Sequence, residues 1–286
     1  MTKPFQAEYH DPDGKLGIEY DRRVGHFSMT DTHLHEHYEL YYLMSGERVY
    51  FIKDRSYRIK AGDLVFVDRN TVHRTLDSGR PDHDRIVFYI EPELIEGACS
   101  DDLAGMLLEP FRWDVPILRL PSPEDEVLAR GIDDIFGELL HPGEGSGMLL
   151  RHRTLELLLY AYRNREAGRV GNAEDGPPVV HPRMQAIVRY VNDNYRKSLA
   201  LTEVAGTFRI SPYYLSRLFK QTTGFAFSDY LNLLRIREAQ RLLRETDLAV
   251  TEIAWSAGFG NFSHFGKMFK RTVGASPREY RRRYRR

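Results

Sequence analysis

The sequence predicts an α+β protein: an N-terminal small barrel or sandwich of short strands, two helices, then an all-helical C-terminal region. Three observations carry that prediction. Apolar alternation of strand type runs from about residue 16 to 92, with turn residues between the runs. The C-terminal third repeats itself with a period near 50 residues. Charge also divides the chain: residues 181–286 hold 20 Lys+Arg against 8 Asp+Glu, whereas residues 1–180 hold 21 against 33. A net +12 facing a net −12, hidden in a formal charge of zero, points to a nucleic-acid-binding half beside a half with another task.

Composition sets the outer bounds. A chain of 286 residues with 42% hydrophobic and 29% charged residues has material for two ordinary cores and is not globally disordered. The single cysteine, Cys99, excludes a disulfide framework and a thiolate zinc cluster, and suits a reducing compartment. Met1 to Asp21 is polar with no apolar stretch of signal type, and no run approaches a membrane span, so a cytoplasmic protein without membrane contact is expected.

Along the first half, Tyr38–Leu43, Val49–Ile52, Leu64–Val67 and Ile86–Ile90 read as strands, with corners at Ser45-Gly46-Glu47, Lys60 to Asp63 and Asp77-Ser78-Gly79. Into the first strand leads His33-Leu34-His35-Glu36-His37-Tyr38-Glu39. If that segment is extended, period two sets His33, His35, His37 and Glu39 on one face, with strand twist carrying His37 off the cluster. The spacing resembles the cupin metal pattern: His-x-His, three residues, Glu39, six residues, Gly46, then a second stretch from Gly62 to His73. Phe27 stands near where that pattern has a glycine, and Asp68 and Asn70 replace its later proline and glycine. The resemblance implies His33, His35, Glu39 and His73 as ligands of a divalent transition metal such as zinc, nickel, manganese or iron. Polar contacts to a bound small molecule, or purely structural histidines, are the competing readings, and no cofactor is assigned with certainty. His26, His83, His141 and His152 lack partners at ligand spacing and read as surface residues.

Two helices follow. Pro123-Glu124-Asp125-Glu126 opens the first, with Val127, Leu128, Ile132, Ile135, Phe136 and Leu139 as its stripe. The second runs from Met148 to about Glu166 and is apolar over a wide arc including Leu149, Leu150, Leu155, Leu157, Leu158, Leu159 and Tyr160, which needs cover from the barrel or from a second subunit. Gly168 to Pro178 is linker in composition.

In the repeat, Thr202-Glu203-Val204-Ala205 matches Thr251-Glu252-Ile253-Ala254, Leu218-Phe219-Lys220 matches Met268-Phe269-Lys270, Gly224 matches Gly274 and Tyr230 matches Tyr280. The offset grows from 49 to 50 through one extra residue in the second turn, near Gly258 and Gly260. Each copy reads as a helix–turn–helix. Ser211-Pro212 supplies a cap and a first-turn proline for a helix to about Thr223, with Leu215, Leu218 and Phe219 on one face. Its other face carries Tyr213, Ser216, Arg217 and Lys220, with Tyr214 beside them. In the second copy Phe265, Met268 and Phe269 face inward, and Ser263, His264, Lys267 and Arg271 face outward, with Lys270 at the helix end. A helix over about Phe227–Glu245 joins the copies, and Ser276 to Glu279 forms a capping box for a last short helix. The outward stripes offer hydrogen-bond donors and no acid, as base edges and phosphates require. The joining helix is about 27 Å long, short of the ~34 Å turn of B-DNA, so docking both units on one face calls for bent DNA.

The runs SRLFK and EIAWSAGF…FSHFGKMFKRTVGASPREYR resemble the DNA-binding region of the arabinose-regulator (AraC/XylS) family over about residues 181–284, with His264 and Gly266 departing from the usual pattern. The resemblance implies a transcription regulator, commonly an activator, that binds double-stranded DNA through Tyr213, Tyr214, Ser216, Arg217, Lys220, Ser263, His264, Lys267, Lys270 and Arg271. It further implies a cupin-like barrel holding a sugar or other small molecule against His33, His35, Tyr38, Glu39 and His73, a homodimer through the two helices, and contact with RNA polymerase. The expected organisation is a barrel over 1–120, dimerisation helices over 121–167, a linker over 168–181 and the DNA-binding region over 182–286. The rival is a metal-dependent cupin enzyme fused to a DNA-binding region. No general acid or base is identifiable, so no catalytic residue is assigned and a non-enzyme is expected.

Overall fold

The computed structural model describes residues 3, 5–29, 35–120, 126–168 and 182–284. Among the described residues nine strands build the first half: β1 (Phe5–His10), β2 (Leu16–Arg23), β3 (Tyr38–Ser45), β4 (Glu47–Ile52), β5 (Arg55–Lys60), β6 (Leu64–Val67), β7 (His73–Asp77), β8 (His83–Ile90) and β9 (Ile117–Leu118). Six pair antiparallel in the order β1-β2-β8-β3-β6-β9, and three in the order β5-β4-β7.

The alternation of β3 explains both of its faces. Tyr38 and Leu40 turn outward, into a core shared with Leu64, Phe66, Ile86, Phe88 and the helices that follow. Tyr41 and Leu43 turn inward, against Tyr50, Ile52 and Ile59 of the smaller sheet. A one-residue slip would exchange these sets, so burial on both sides holds the register. Gly46, at φ +87°, makes the β3–β4 corner; a Cβ there would lie 2.5 Å from the Asp82 carbonyl oxygen.

The outer face of the large sheet is covered by α1 (Pro92–Glu96), α2 (Asp101–Leu108), a 3-10 turn at Glu109–Arg112, α3 (Glu126–Leu140) and α4 (Ser146–Arg163). Within α3, Leu128, Ile132, Ile135 and Leu139 are buried, at helical spacing. Val127 lies off that line and is 59% exposed, contrary to its place in the expected stripe. Leu157 and Leu158 of α4 are buried within the chain's own core, so the barrel provides much of the cover that this helix requires. Helix α4 stops at Arg163, short of the expected Glu166, and a separate turn, α5 (Arg165–Gly168), follows. The residues that would open α3, 123–125, lie outside the described residues. Strand β1, helices α1 and α2 and the short β9 were not anticipated from sequence.

The second half is helical: α6 (Pro182–Asn194), α7 (Leu201–Thr207), α8 (Pro212–Thr223), α9 (Phe227–Glu245), α10 (Val250–Ser256), α11 (Phe262–Val273) and α12 (Pro277–Tyr284). The N-terminal part of α9 closes one core with α6, α7 and α8; its C-terminal part closes another with α10, α11 and α12. Each repeat uses the same devices. Glu203 and Glu252 accept hydrogen bonds from the amides of Ala200 and Ala249, and Ser211 and Asn261 cap the second helices by accepting from Tyr214 N and His264 N. Four residues join α7 to α8 and five join α10 to α11, which accounts for the shift in the repeat. Gly258, at φ +96°, sits where a Cβ would lie 2.8 Å from Arg196 backbone atoms, so the second turn demands glycine.

Candidate functional site

Both outward helix faces form as the repeat predicts. Tyr213, Tyr214, Ser216, Arg217 and Lys220 on α8 are exposed, while Leu215 and Phe219 are buried and Leu218 is half-buried. On α11, Ser263, His264, Lys267, Lys270 and Arg271 are exposed over buried Phe265, Met268 and Phe269. Tyr213 is 78% exposed and Tyr214 46% exposed, and both lie outside the core of the unit. Trp255, 55% exposed on α10, is an exposed aromatic of the second unit not foreseen from sequence.

Inside the barrel, the predicted cluster forms from three of its four members. His35 Nε2 lies 3.1 Å and His73 Nε2 3.4 Å from Glu39 Oε2, and the Tyr50 hydroxyl donates to Glu39 Oε1 at 2.5 Å. His33 lies outside the described residues. Each imidazole is oriented through its other nitrogen: His35 Nδ1 is 3.0 Å from the His37 carbonyl oxygen, and His73 Nδ1 is 2.8 Å from that of Thr71. Neutral rings that donate from Nδ1 turn lone pairs toward the carboxylate, an arrangement that needs a proton on Nε2 or a cation between the groups. Burial opposes ionisation of Glu39, but His73 and His35 outweigh it and hold the carboxyl well below its usual range. Burial likewise disfavours charged His73, and Glu39 beside it raises the ring's pKa all the same.

Three expectations need correction. The segment before β3 is bent rather than extended at Glu36 and His37, so strict period two does not hold there; His37 stacks on His35 with ring centroids 3.9 Å apart and lies outside the three-residue cluster. Tyr38 is turned by strand parity to the outer face and packs on Phe111, so it cannot contact a ligand in the barrel. His83 is buried rather than superficial, and its pKa is pushed down to about 4 by burial and by Arg48 and Arg85. His26, His141 and His152 are exposed as expected.

Sequence reasoning missed the inward-facing Arg48, Arg85 and His83. Their signal was legible: Arg48 shares the parity of Tyr50 and Ile52 on β4, and Arg85 that of Val87 on β8. It also missed Glu36. That carboxylate accepts from Arg244 Nη1 at 2.7 Å and Gln240 Nε2 at 3.3 Å on α9, and from the hydroxyls of Tyr280 and Tyr284 on α12. Further contacts join the halves: Tyr230 Oη to the Lys53 carbonyl at 2.6 Å, Arg189 Nε to Asp54 Oδ2 at 2.7 Å, and Ser56 Oγ to the Thr222 carbonyl at 3.1 Å. Phe51 and Val72 of the barrel half are buried in the core of the first helix–turn–helix unit.

Two family profiles match the chain, one described as an AraC-like ligand binding domain over residues 21–158 and one as a helix-turn-helix domain over 204–283. The two profiles thus fall on the barrel with its helices and on the repeated helical units. The chain belongs to the AraC/XylS family of transcription regulators. As an AraC-family protein it combines a ligand-binding domain with a helix–turn–helix DNA-binding domain. It is similar over 282 residues, 94% of each chain, to the HTH-type transcriptional activator RhaS of Salmonella paratyphi A, at 24% identity. It is 41% identical over 100 residues to the uncharacterized HTH-type transcriptional regulator YijO of Escherichia coli K12, which is 35% of each chain. A solved structure of the C-terminal domain of AraT, a response regulator from Geobacillus stearothermophilus, aligns at 34% identity over 37% of this chain and 88% of that one, with a TM-score of 0.36. Among the described residues no helix is long and apolar enough to cross a membrane.

For this AraC-family chain, Arg217→Ala is expected to weaken operator binding by about 1–3 kcal/mol and to relax preference at one base pair. Wild-type affinity should fall steeply with salt as phosphate contacts release counterions. Binding titrations on operator variants check both; an Arg217→Ala protein with unchanged affinity and sequence preference would refute the assigned contact.

Proposed function

We propose that this regulator senses a small molecule in its barrel and relays occupancy to the second helix–turn–helix unit through Glu36. The carrying observation is one of position. Glu36 follows His35, a member of the barrel cluster, and its side chain gathers four hydrogen bonds from α9 and α12. Charge-assisted hydrogen bonds of this kind are each worth about 1.5–3 kcal/mol. A shift of His35 on binding therefore moves a residue that helps to hold the second unit against the barrel, while Phe51 and Val72 hold the first. The output is altered promoter occupancy or altered contact with RNA polymerase. The DNA partner and the lone Cys99 support a cytoplasmic location. The barrel cluster is read as a binding group, not a catalytic one.

The donor set of the cluster fits a divalent transition metal. His35 Nε2, His73 Nε2 and a Glu39 oxygen would hold it, with the two backbone carbonyls fixing the rings. Such an ion would supply positive charge and a point of attachment for an oxygen or nitrogen of the effector.

A homodimer through the α3–α4 face is the assembly proposed. Val127, Met148 and Leu149 are exposed there, and a cavity of about 280 Å³ lies between the two helices beside Gly131 and Tyr160. Leu155 is half-buried and Leu158 is wholly buried in the chain's own core, so Leu158 belongs to folding rather than to the interface.

Three measurements test these readings. Glu36→Ala should raise amide hydrogen exchange across residues 277–284 and change DNA affinity by roughly 5–150-fold, the usual span of coupling energies; exchange and affinity like wild type would sever the proposed route. Elemental analysis of purified protein should find about one transition-metal ion per chain, lost in His35→Ala; wild-type protein that takes up no zinc, nickel, manganese or iron would leave the triad as an ion pair. Sedimentation should show a dimer that Met148→Glu with Leu149→Glu dissociates, since burying each such side chain contributes about 1.5–3 kcal/mol; a wild-type monomer at high concentration refutes the interface.

A further inference from the structure

Beside the His35–Glu39–His73 cluster, one same-face step along β3 and β4, polar side chains are buried without partners. Arg48 is fully buried, yet among the described residues only its Nη2 is engaged, donating to the Phe27 carbonyl; Nε and Nη1 have no partner. Tyr41 Oη and His83 Nδ1 are likewise buried and unsatisfied. These groups form one cluster. The Phe27 ring has Arg23 4.3 Å and Arg48 5.9 Å from its centroid, and the His83 ring lies 6.2 Å away. Arg85 lies 5.9 Å from the Tyr41 ring.

Arg48 is left out of the ion pairs around it. Three guanidinium groups, Arg23, Arg48 and Arg85, meet here. Asp21 lies 3.4 Å from Arg85 Nη2 and is also paired with Arg23. Asp77, opposite Arg48 in the strand register, is engaged by the His26 ring at 2.7 Å and by the Gly79 amide at 2.9 Å. Glu39 is held by the histidines and Tyr50. Arg48 is therefore a buried cation with no carboxylate of its own, a costly state that a protein tolerates where something else supplies the charge. A cavity of about 330 Å³, lined by Asp21, Arg23 and Arg85 and on its outer side by Glu8 and Glu19, opens beside the cluster.

We propose that this part of the barrel is a receptor for a small organic anion, whose oxygens accept the hydrogen bonds that Arg48 Nε and Nη1 and the Tyr41 hydroxyl do not make within the protein. Guanidinium groups match carboxylate and phosphate oxygens in geometry as well as charge. The burial that makes an unpaired Arg48 costly makes its pairing with an anion strong, whereas a neutral sugar would satisfy donors and leave the charge uncompensated. His83, kept neutral by burial and its arginine neighbours, adds a hydrogen-bonding nitrogen without altering the charge count. The inference rests on reading the barrel as the ligand-binding half and adds the chemical class of the ligand.

The test uses the full-length protein and a matched panel: acetate, benzoate, succinate and inorganic phosphate against acetamide, benzamide and glucose, at equal ionic strength. One or more anions should raise the melting temperature saturably, the neutral compounds should not, and carboxylate against phosphate shows which oxyanion is preferred. Arg48→Met should abolish the rise while melting, without ligand, no lower than wild type, because an unpaired buried charge has been removed; a purely structural Arg48 would lower it. Tyr41→Phe, which keeps the ring, should weaken the anion several-fold by calorimetric titration and secures the result if Arg48→Met does not fold. The proposal is overturned if no anion shifts the wild type, or if Arg48→Met and wild type respond alike. A shift with glucose alone would then spare the ligand-binding reading; no shift with any compound would count against both.

Discussion

Two-sided burial of β3 is the constraint on which the first half of the molecule depends. The same eight residues must present Tyr38 and Leu40 to a helical layer and Glu39, Tyr41 and Leu43 to a second sheet. An antiparallel sheet with one solvated face would tolerate polar residues outward and leave its inner face apolar. Here both faces are covered, so polar groups on the inward parity are buried whether or not they are paired. Glu39 meets that demand with two imidazoles and a phenol; Arg48 meets it only through Nη2, which donates to the Phe27 carbonyl. The chemistry of the barrel follows from this difference between the two groups.

Helix α9 plays the corresponding part in the second half. At 19 residues it is about 28 Å long and contributes to two separate cores, with Tyr230 and Leu234 in one and Ala239 and Leu243 in the other. The two helix–turn–helix units are therefore held on one rod rather than on a flexible joint. Their exposed faces, on α8 and α11, keep a set separation, and a duplex that meets both must conform to it. That stiffness also means that a restraint placed on α12 is felt by the whole DNA-binding half.

Much of this was legible in the sequence, for reasons that can be named. Alternation revealed the central strands, and the repeat with its capping residues located α8, α9 and α11 closely, because those signals are local and covalently spaced. The pairing of Glu39 with His73, 34 residues apart, was legible only through the cupin resemblance. What escaped was non-local or lacked pattern. Strand β1 does alternate, with Ala7 and Tyr9 half-buried between exposed Gln6, Glu8 and His10, but none of it is fully buried and it is secured by pairing with β2. Tyr38 follows strand parity to the outer face rather than the family imprint, and His83 points inward by parity although it has no ligand-spaced neighbour. Glu36 had no signal, since its partners lie more than 200 residues away and meet it only when the halves dock.

Docking is what gives the bent segment at Glu36 and His37 its significance. In an extended strand, Glu36 would alternate with His35 and point away from the barrel as an ordinary surface carboxylate. With the backbone bent, neighbouring residues serve different halves: His35 joins Glu39 inside the barrel, and Glu36 reaches α9 and α12. A single rigid peptide unit joins the two Cα atoms, so a backbone displacement at His35 is carried to Glu36 and its contacts with Arg244 and two phenols. The proposed relay needs no long chain of intermediaries. A ligand or ion that repositions the His35 ring works directly against the hydrogen bonds of Glu36, and by reciprocity the docked helices bias the geometry offered to the ligand. Conversely, DNA that draws the second unit from the barrel would relax the same segment, so in the proposed relay operator and effector would act on a common pair of residues.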